Sequence, residues 1–389
     1  MIEATIPKSR RSQSQGVKII IAALKQQHNR VCQITITDIP NSLLKKFAAI
    51  KTPFPALTHL VLTSTDESAP VLLNSFLEGS APRLQSLWLY GIPFLALRKL
   101  LLSACDLSHL CLDNIPRSGY ISPDVLVTSL SGLTRLGSLT LTLQSPRSQA
   151  DRQRRVPPSR TRVVLPSLAR LVFKGDSEYL EDMVSRMEPL PHAHVEITFF
   201  NQLLFNTPLL PNLVGRAEMF KAFHRAEIFF SSLSVSFALF QKHGPVESKV
   251  LVLKISCKPL DWQLSSIAQV IGSAIPPLPA LERLKLRGYH QLQCWQDDIE
   301  NAEWLELLRP FTSVKDLVLS GQLVQLIAPV LGEPIEESAT EELPALQNIF
   351  VEDVSLSGHL SWQKAIGQFI AARQISGRPV AVHYPESRG

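Results

Sequence analysis

Four groups of residues have types and spacings that could do chemistry. His192 and His194 would lie on one side of a strand, as a pair of metal ligands could. A carboxylate cluster on a predicted helix could act in general acid–base catalysis; it comprises Asp297, Asp298, Glu300, Glu303 and Glu306. Cys111 could be a reactive thiol. Trp88 and Tyr90 alternate with leucines on a predicted strand, and exposed aromatic side chains of this kind anchor protein interfaces.

The first three groups have simpler explanations, which we favour. No third ligand is close to the two histidines in sequence, the acids fit a solvated helix face, and no base partners Cys111. The sequence also lacks the G-x-x-x-x-G-K-[ST], G-x-G-x-x-G, G-x-S-x-G and H-E-x-x-H motifs. We therefore expect a protein that is not an enzyme and that needs neither a metal nor a cofactor.

Composition argues against several classes of protein. The chain has 389 residues, of which 45% are hydrophobic, with no apolar run long enough to span a bilayer and no secretory signal. Its five cysteines are scattered, which argues against a disulfide framework or a zinc site. We expect an intracellular monomer, cytoplasmic or nuclear, that does not bind membranes.

The net charge of +5 is concentrated in residues 144–164, where six arginines face one aspartate. This segment could touch RNA, an acidic protein or a nuclear import receptor. Since no aromatic residue is interleaved for stacking on bases, we favour a charged surface loop. The rest of the chain is close to neutral, so we do not expect nucleic acid as the partner.

Sixty of the residues are leucine, and many occupy a repeated frame. FPALTHLVL (54–62) and APRLQSLWL (81–89) both contain Leu-x-x-Leu-x-Leu. Twelve copies of the frame begin at Val31, Leu57, Leu84, Leu107, Leu136, Leu168, His192, Arg225, Val250, Leu281, Val314 and Leu346. The last two apolar positions of the clear copies alternate with polar or variable residues, as in a strand with one buried face. Parallel strands that return through helices would bury that face continuously.

The predicted fold class is therefore α/β, a leucine-rich-repeat solenoid. It would have a curved parallel sheet on its concave face, helices on its convex face and about twelve irregular repeats. The solenoid would span residues 17–380, between a disordered tail at 1–16 and a C-terminal tail at 381–389, with a basic disordered loop at 144–164 and an acidic loop at 332–343.

Helical patterns mark the return segments between the strands. They fit Val17–Gln27, Ser42–Ile50, Val71–Leu77, a helix that starts at Ser122, Glu178–Met187, Trp262–Ile275, Ile299–Leu308 and Trp362–Gln374. Turn-forming residues follow the strands where the best-known repeat has an asparagine ladder. We therefore expect imperfect coils, with distorted copies between residues 192 and 250.

Side chains that flank the buried leucines must point out of the concave face, where we expect a protein partner to bind. The candidate binding residues are His59, Trp88, Tyr90, His109, Asp113, Arg170, Lys174, Arg283, Lys285, Arg287, Asp316, Phe350 and Glu352. Trp88 and Tyr90 would form an exposed aromatic pair, and the five cations would form basic stretches suited to an acidic partner. The alternative is that such a face simply carries varied polar residues.

The order of segments resembles the leucine-rich-repeat region of fungal F-box proteins, over roughly residues 17–380. The matching stretches are VCQITITDIPNSLLKKFAAIKTPFPALTHL, FLEGSAPRLQSLWLYGIPFLALRKLLLSA, NIPRSGYISPDVLVTSLSGLTRLGSLTLTLQSPRS, FKGDSEYLEDMV, ITFFNQL, LDWQLSSIAQV, WQDDIENAEWLELLRPF and ALQNIFVED. The resemblance implies a substrate-recognition solenoid, joined in full-length relatives to an F-box that docks on a Skp-type adaptor of a cullin-RING ubiquitin ligase.

The F-box itself is not visible in this chain. The nearest lookalike, Ile39–Phe47, is better explained as the turn and helix of the first repeat. A Skp-type adaptor is therefore expected only if an F-box lies upstream. We expect a non-catalytic protein–protein interaction module related to F-box substrate receptors. The alternative is a stand-alone leucine-rich-repeat scaffold or sensor without a ligase link.

Overall fold

The structure is a computed structural model of the chain. It describes residues 21–50, 52–65, 71–72, 76–94, 97–146, 162–190, 192–214, 220–243, 246–257, 260–288, 301–332, 343–352 and 359–384. The predicted tail at 1–16 and most of the two predicted loops lie outside these residues. The chain divides into two compact units, Met1–Val195 and Glu196–Gly389, each of which is described by itself.

Strands of the first unit follow the leucine frame. They are β1 (Gln33–Ile36), β2 (His59–Thr63), β3 (Ser86–Tyr90), β4 (His109–Ile115), β5 (Ser138–Leu143) and β6 (Arg170–Gly175), and β7 (His194–Phe200) runs across the division between the units. From β1 to β6 each strand pairs in parallel with the next one in the sequence. The helices described between them are α1 (Asn41–Ala48), α2 (Leu97–Ser103), α3 (Pro123–Leu130) and α4 (Ser177–Val184).

The leucine frame sets the register of this sheet. Leu60 pairs with Leu87, which pairs with Leu110, and all three are buried. Because side chains alternate across a strand, each frame buries two residues on the helix side and exposes their neighbours on the other side. Each fully buried leucine stabilises the fold by about 1.5–3 kcal/mol, so a one-residue slip between strands is strongly disfavoured.

Helix α3 begins as its sequence predicts. The hydroxyl of Ser122 accepts a hydrogen bond from the Val125 N–H, Pro123 opens the helix, and Asp124 lies in the first turn. Helix α4 is fixed through Tyr179, whose buried hydroxyl donates to the carbonyl of Ile121 at 2.8 Å. Its ring stacks on Phe173 of β6 with centroids 5.7 Å apart.

Tight turns leave the strands at the positions expected from the sequence. Asp38, Gly91 and Asn114 each lie two residues after the last buried leucine or isoleucine of a strand frame, and each has a positive φ, at 50°, 66° and 53°. Two of these turns are held by a hydroxyl on the following strand. Thr63 accepts the Asp38 N–H at 2.9 Å, and Thr142 accepts the Asn114 N–H at 2.6 Å.

The second unit repeats this device once, since Ser320 accepts the Gly288 N–H at 3.0 Å. Hydroxyls therefore occupy, at three turns, the role that an asparagine ladder has in more regular repeats.

Strands of the second unit do not follow chain order. They are β8 (Phe223–Phe230), β9 (Val235–His243), β10 (Val246–Ser256), β11 (Arg283–Gly288), β12 (Asp316–Ser320), β13 (Asn348–Glu352) and β14 (Ala381–His383). Their spatial order is β10-β9-β8-β11-β12-β13-β14, and β9 is antiparallel to both of its neighbours. The helices are α5 (Leu210–Val214), α6 (Leu260–Ala274), α7 (Asn301–Leu308), α8 (Gly321–Gly332) and α9 (His359–Ile375).

Strand β9 corrects the expectation of a parallel sheet throughout. The copies at Arg225 and Val250 form β8 and β10, but the chain returns between them as a strand. A serine-rich turn allows this, since the Ser231 N–H and hydroxyl both donate to the carbonyl of Ser234, at 2.9 and 2.8 Å. Alternating apolar residues then bury one face of β9, with Val235, Phe237 and Leu239 at 0% exposure. The distortion expected between residues 192 and 250 thus takes the form of two antiparallel pairings.

The end of the sheet and several helices also differ from expectation. The sheet continues past residue 380, because β14 pairs in parallel with β13 inside the predicted C-terminal tail. The helix predicted at Val71–Leu77 is absent from its described residues: Leu72 forms an isolated bridge with Phe94, and Phe76–Gly79 is a 3-10 turn. Helices α2, α5 and α8 were not predicted. The apolar residues of α2 and α8 lie in nearly continuous runs without a helical period, and α5 is only five residues long.

Candidate functional site

The open face of the first unit is the sheet face whose side chains alternate with the buried leucines. All seven candidate residues of this unit lie on it, from β2 to β6. Strand register places Trp88 between Val61 and Cys111 in one row, and His109 beside Ser86 in the next. Since adjacent strands are about 4.8 Å apart, neighbouring side chains in these rows can contact one bound segment together.

Trp88 is the most exposed aromatic side chain on this face. It is 47% exposed, while Leu87 and Leu89 on either side of it are buried. The indole forms no hydrogen bond within the described residues, and Tyr90, two residues further, is half-buried. Strand β3 is held firmly here: the Tyr90 carbonyl accepts the Ser64 N–H and the Gly91 N–H donates to the Asp113 carbonyl, both at 2.9 Å. Backbone hydrogen bonds therefore join the strand that carries the aromatic pair to both neighbouring strands.

Two histidines lie in the row beside Trp88. The His59 ring is 2.9 Å from the Thr58 hydroxyl, and the His109 ring is 2.8 Å from the Ser108 hydroxyl. Each imidazole is thus oriented by the residue before it. Asp113 accepts a hydrogen bond from the Thr142 hydroxyl, which leaves its other carboxylate oxygen for a partner.

Among the described strands of the first unit, lysine and arginine side chains on the open face occur only on β6. Arg170 is exposed and pairs in register with Ser138, whereas Lys174 is half-buried and pairs with Thr142. Both side chains have interactions within the chain. From β2 to β5 the only formal charge on the open face is Asp113. Val61 and Cys111 therefore flank Trp88 directly, and hydroxyls, imidazoles and the Tyr90 ring lie around them.

The open face of the second unit carries the other six candidates, and its cations are paired. Arg283 lies 2.9 Å from Asp316, Lys285 lies 2.7 Å from Glu352, and Arg287 lies 3.6 Å from Glu227. The Lys285–Glu352 pair joins β11 to β13 and so passes over β12. This corrects the expectation of a basic stretch at Arg283, Lys285 and Arg287, because carboxylates on neighbouring strands neutralise it.

Hydrogen bonding also perturbs the acids of this network. Burial alone would raise the pKa of Asp316, but the hydrogen bonds its carboxylate accepts from Asn348 and Arg283 outweigh burial and hold the pKa below its usual value. In the same way, bonds from Arg225 and His224 outweigh burial and lower the pKa of Glu247. These carboxylates are therefore charged at neutral pH and act as structural partners of the cations.

Two side chains outside the predicted set complete this face. The His383 ring stacks on Phe350 with centroids 4.6 Å apart and planes 15° apart, and the next residue, Tyr384, is exposed. Sequence reasoning missed both because they follow the last leucine frame, in the segment expected to be a tail. The only available signal was the alternation in Val380–Tyr384.

Of the candidate catalytic groups, the structure describes Cys111, both histidines and two of the five acids. Burial, together with the negative charge of Asp113, raises the pKa of the Cys111 thiol to about 11, so this thiol is protonated at neutral pH. Among the described residues no group of three or more potential ligands could hold a metal ion, at His192 and His194 or elsewhere. Asp297, Asp298 and Glu300 of the acidic cluster lie outside the described residues, and Glu303 and Glu306 lie on α7.

Comparisons with known proteins add little to this geometry. The sequence matches no protein-family model and no curated protein. A crystal structure of the leucine-rich repeat-containing protein LegL7 from Legionella pneumophila is similar over 87% of this chain and 96% of that chain, at 13% identity and a TM-score of 0.31. So distant a likeness carries no argument, and none of the comparisons supports the resemblance to fungal F-box proteins. Within the described part of the chain, no helix is long and apolar enough to cross a membrane.

Proposed function

We propose that the chain is a leucine-rich-repeat solenoid that acts as a non-catalytic protein-interaction module. Its partner would bind on the open face of the first unit, centred on Trp88 and Tyr90. The observation that carries this proposal is the exposure of a tryptophan in the middle of a rigid sheet face, with 47% of its surface open to solvent. Large exposed aromatic residues on rigid supports are the side chains that dominate binding energy at protein interfaces.

The chemistry around Trp88 favours a protein over other ligands. The surrounding hydroxyls and imidazoles can donate and accept hydrogen bonds, as the polar rim of an interface does. The low formal charge between β2 and β5 argues against a polyanion such as nucleic acid. We therefore expect a partner that presents an apolar anchor within a polar surround.

The test compares three forms of the full chain as bait in an extract of the native cells. They are the wild type, the double variant Trp88→Ala/Tyr90→Ala, and a control, Leu102→Ala/Val125→Ala, which removes exposed apolar groups from helices α2 and α3. Each hot-spot truncation typically weakens binding by 2 kcal/mol or more, about 30-fold. We expect proteins captured by the wild type and the control to be lost from the Trp88/Tyr90 variant. Equal capture by all three forms would refute the proposal.

A link to ubiquitin ligases is the finer proposal, and it rests only on the sequence resemblance to F-box substrate receptors. If it holds, proteins captured through Trp88 are ubiquitylation substrates whose abundance rises when the gene is deleted. Unchanged abundance and half-life of those proteins would favour the alternative, a stand-alone scaffold or sensor. A Skp-type adaptor in the captured set would indicate that the native product carries an F-box.

A further inference from the structure

A depression on the open face of the second unit forms a second possible binding site, independent of Trp88. It has a volume of about 270 Å³ and is lined by Arg283, Val318, Phe350, Val351, Glu352, His383 and Tyr384. Pockets that enclose drug-sized molecules start at about 300 Å³, so this one fits a single large side chain.

Aromatic rings form the base of the depression and are fixed in place. Phe350 and His383 stack nearly in parallel, and the His383 ring also lies 3.3 Å from the amide oxygen of Asn348. In strand register, Val318 pairs with Phe350 on one side and Lys285 on the other, which leaves it only 6% exposed. Tyr384, at 54% exposure, stands at the edge with its ring open to solvent.

The charges around the depression balance. Arg283 and Glu352 line it, and each already has a partner of opposite charge, Asp316 at 2.9 Å and Lys285 at 2.7 Å. A charged ligand would lose hydration without meeting a net opposite charge. An uncharged ring would instead stack on the Phe350–His383 base and lie near the Arg283 guanidinium, which is 5.9 Å from the Phe350 centroid.

We propose that this depression binds one uncharged aromatic side chain from a protein partner. The second unit would then hold an aromatic anchor of the partner, while its paired charges form the surrounding rim. This proposal rests on the second unit alone, so loss of binding at Trp88 leaves it untouched.

Blocked amino-acid amides can represent the anchor, because they present a side chain on an uncharged backbone. We would titrate the full chain with N-acetyl-tryptophanamide and N-acetyl-phenylalaninamide and follow the methyl NMR signals of Val318, which lines the depression. The corresponding amides of aspartate and lysine test the effect of charge. Single-residue probes of a shallow site should bind with a dissociation constant on the order of 1 mM.

We expect the two aromatic amides to shift the Val318 methyls, and the aspartate and lysine amides to leave them unmoved. His383→Ala and Tyr384→Ala should weaken binding at least about 5-fold, whereas Leu102→Ala, at an exposed position of the first unit, should have no effect. If His383→Ala disturbs β14, Phe350→Leu keeps an apolar side chain at this half-buried position and removes the ring. Absent shifts, preferred binding of a charged amide, or full binding by these variants would each overturn the proposal.

Discussion

Replacing Gly91 with alanine tests the turn that supports the aromatic pair. Gly91 has a φ of +66°, and a Cβ atom there would lie 2.1 Å from the backbone oxygen of Ser64. Ser64 cannot easily move away, because its N–H donates to the Tyr90 carbonyl at 2.9 Å. Alanine would therefore strain both the local backbone and the pairing between β2 and β3.

Two terms set the size of the effect. The left-handed conformation costs an L-residue about 1–2 kcal/mol, and forcing an extra carbon into a packed site costs about 1–3 kcal/mol. We expect Gly91→Ala to destabilise the first unit by about 3 kcal/mol. For a unit of this size, that lowers the melting temperature by roughly 6–12 °C, which differential scanning calorimetry of the full chain can resolve.

Two control substitutions separate the clash from the backbone term. A Cβ atom at Gly132 would have no neighbouring atom within 4 Å, so Gly132→Ala should leave the stability of the fold unchanged or raise it by up to about 1 kcal/mol. Asn114 has a φ of 53° at the equivalent turn after β4, and Asn114→Gly should also be neutral or mildly stabilising. If Gly91→Ala melts within about 1 °C of the wild type, the turn geometry described here is incorrect.

Three further predictions concern the hydroxyl at a turn, the charge network and the thiol. Thr142→Val removes the hydroxyl that accepts the Asn114 N–H at 2.6 Å, and it should lower the free energy of unfolding in denaturant by about 1–3 kcal/mol. The control Thr35→Val, on β1, should lower it by less than about 1 kcal/mol. Equal losses would contradict the role of the hydroxyl. Because the pKa of Asp316 is lowered in the folded state, its contribution to stability is present above the unfolded pKa and is lost as pH falls below about 4. The melting temperature of Asp316→Asn should thus decline less steeply with acid than that of the wild type, and parallel curves would count against the network. Because the pKa of the Cys111 thiol is raised to about 11, iodoacetamide at neutral pH should modify the exposed Cys105 well before Cys111. Peptide mass spectrometry measures both rates. Simultaneous modification would show that Cys111 is not shielded.

The strands were predictable from sequence because their signal is local. Leu60 and Leu62 alternate with polar or half-exposed residues over five consecutive positions, a pattern typical of a strand with one buried face. In the structure both leucines are fully buried, with 0% exposure. The same logic located all twelve predicted strands and the open-face positions between the buried residues. The cap of α3 at Ser122 was predictable for the same reason, since its residues lie within one helical turn.

Pairing between distant segments was not predictable in the same way. Apolar and polar residues alternate along β9, but the leucine frame has no copy there, so the frame predicts a helical return. The Ser231–Ser234 turn, held by side-chain hydrogen bonds, reverses the chain into a β-hairpin instead. The partners of Arg283, Lys285 and Arg287 lie 33, 67 and 60 positions away in the chain, on three other strands. Neutralisation of that basic run could be seen only once the strand order was known, because β8 lies beside β11.

Photo-crosslinking can show whether the open face of the first unit binds a protein partner. A photoreactive residue at Val61, next to Trp88 in register, leaves the aromatic pair intact, and the same residue at exposed Leu102 on α2 serves as the control. We expect position 61 to crosslink to a protein partner in native cells, position 102 not to do so, and Trp88→Ala to abolish the crosslink. A partner crosslinked from position 102 alone, or one retained at position 61 in Trp88→Ala, would contradict this expectation.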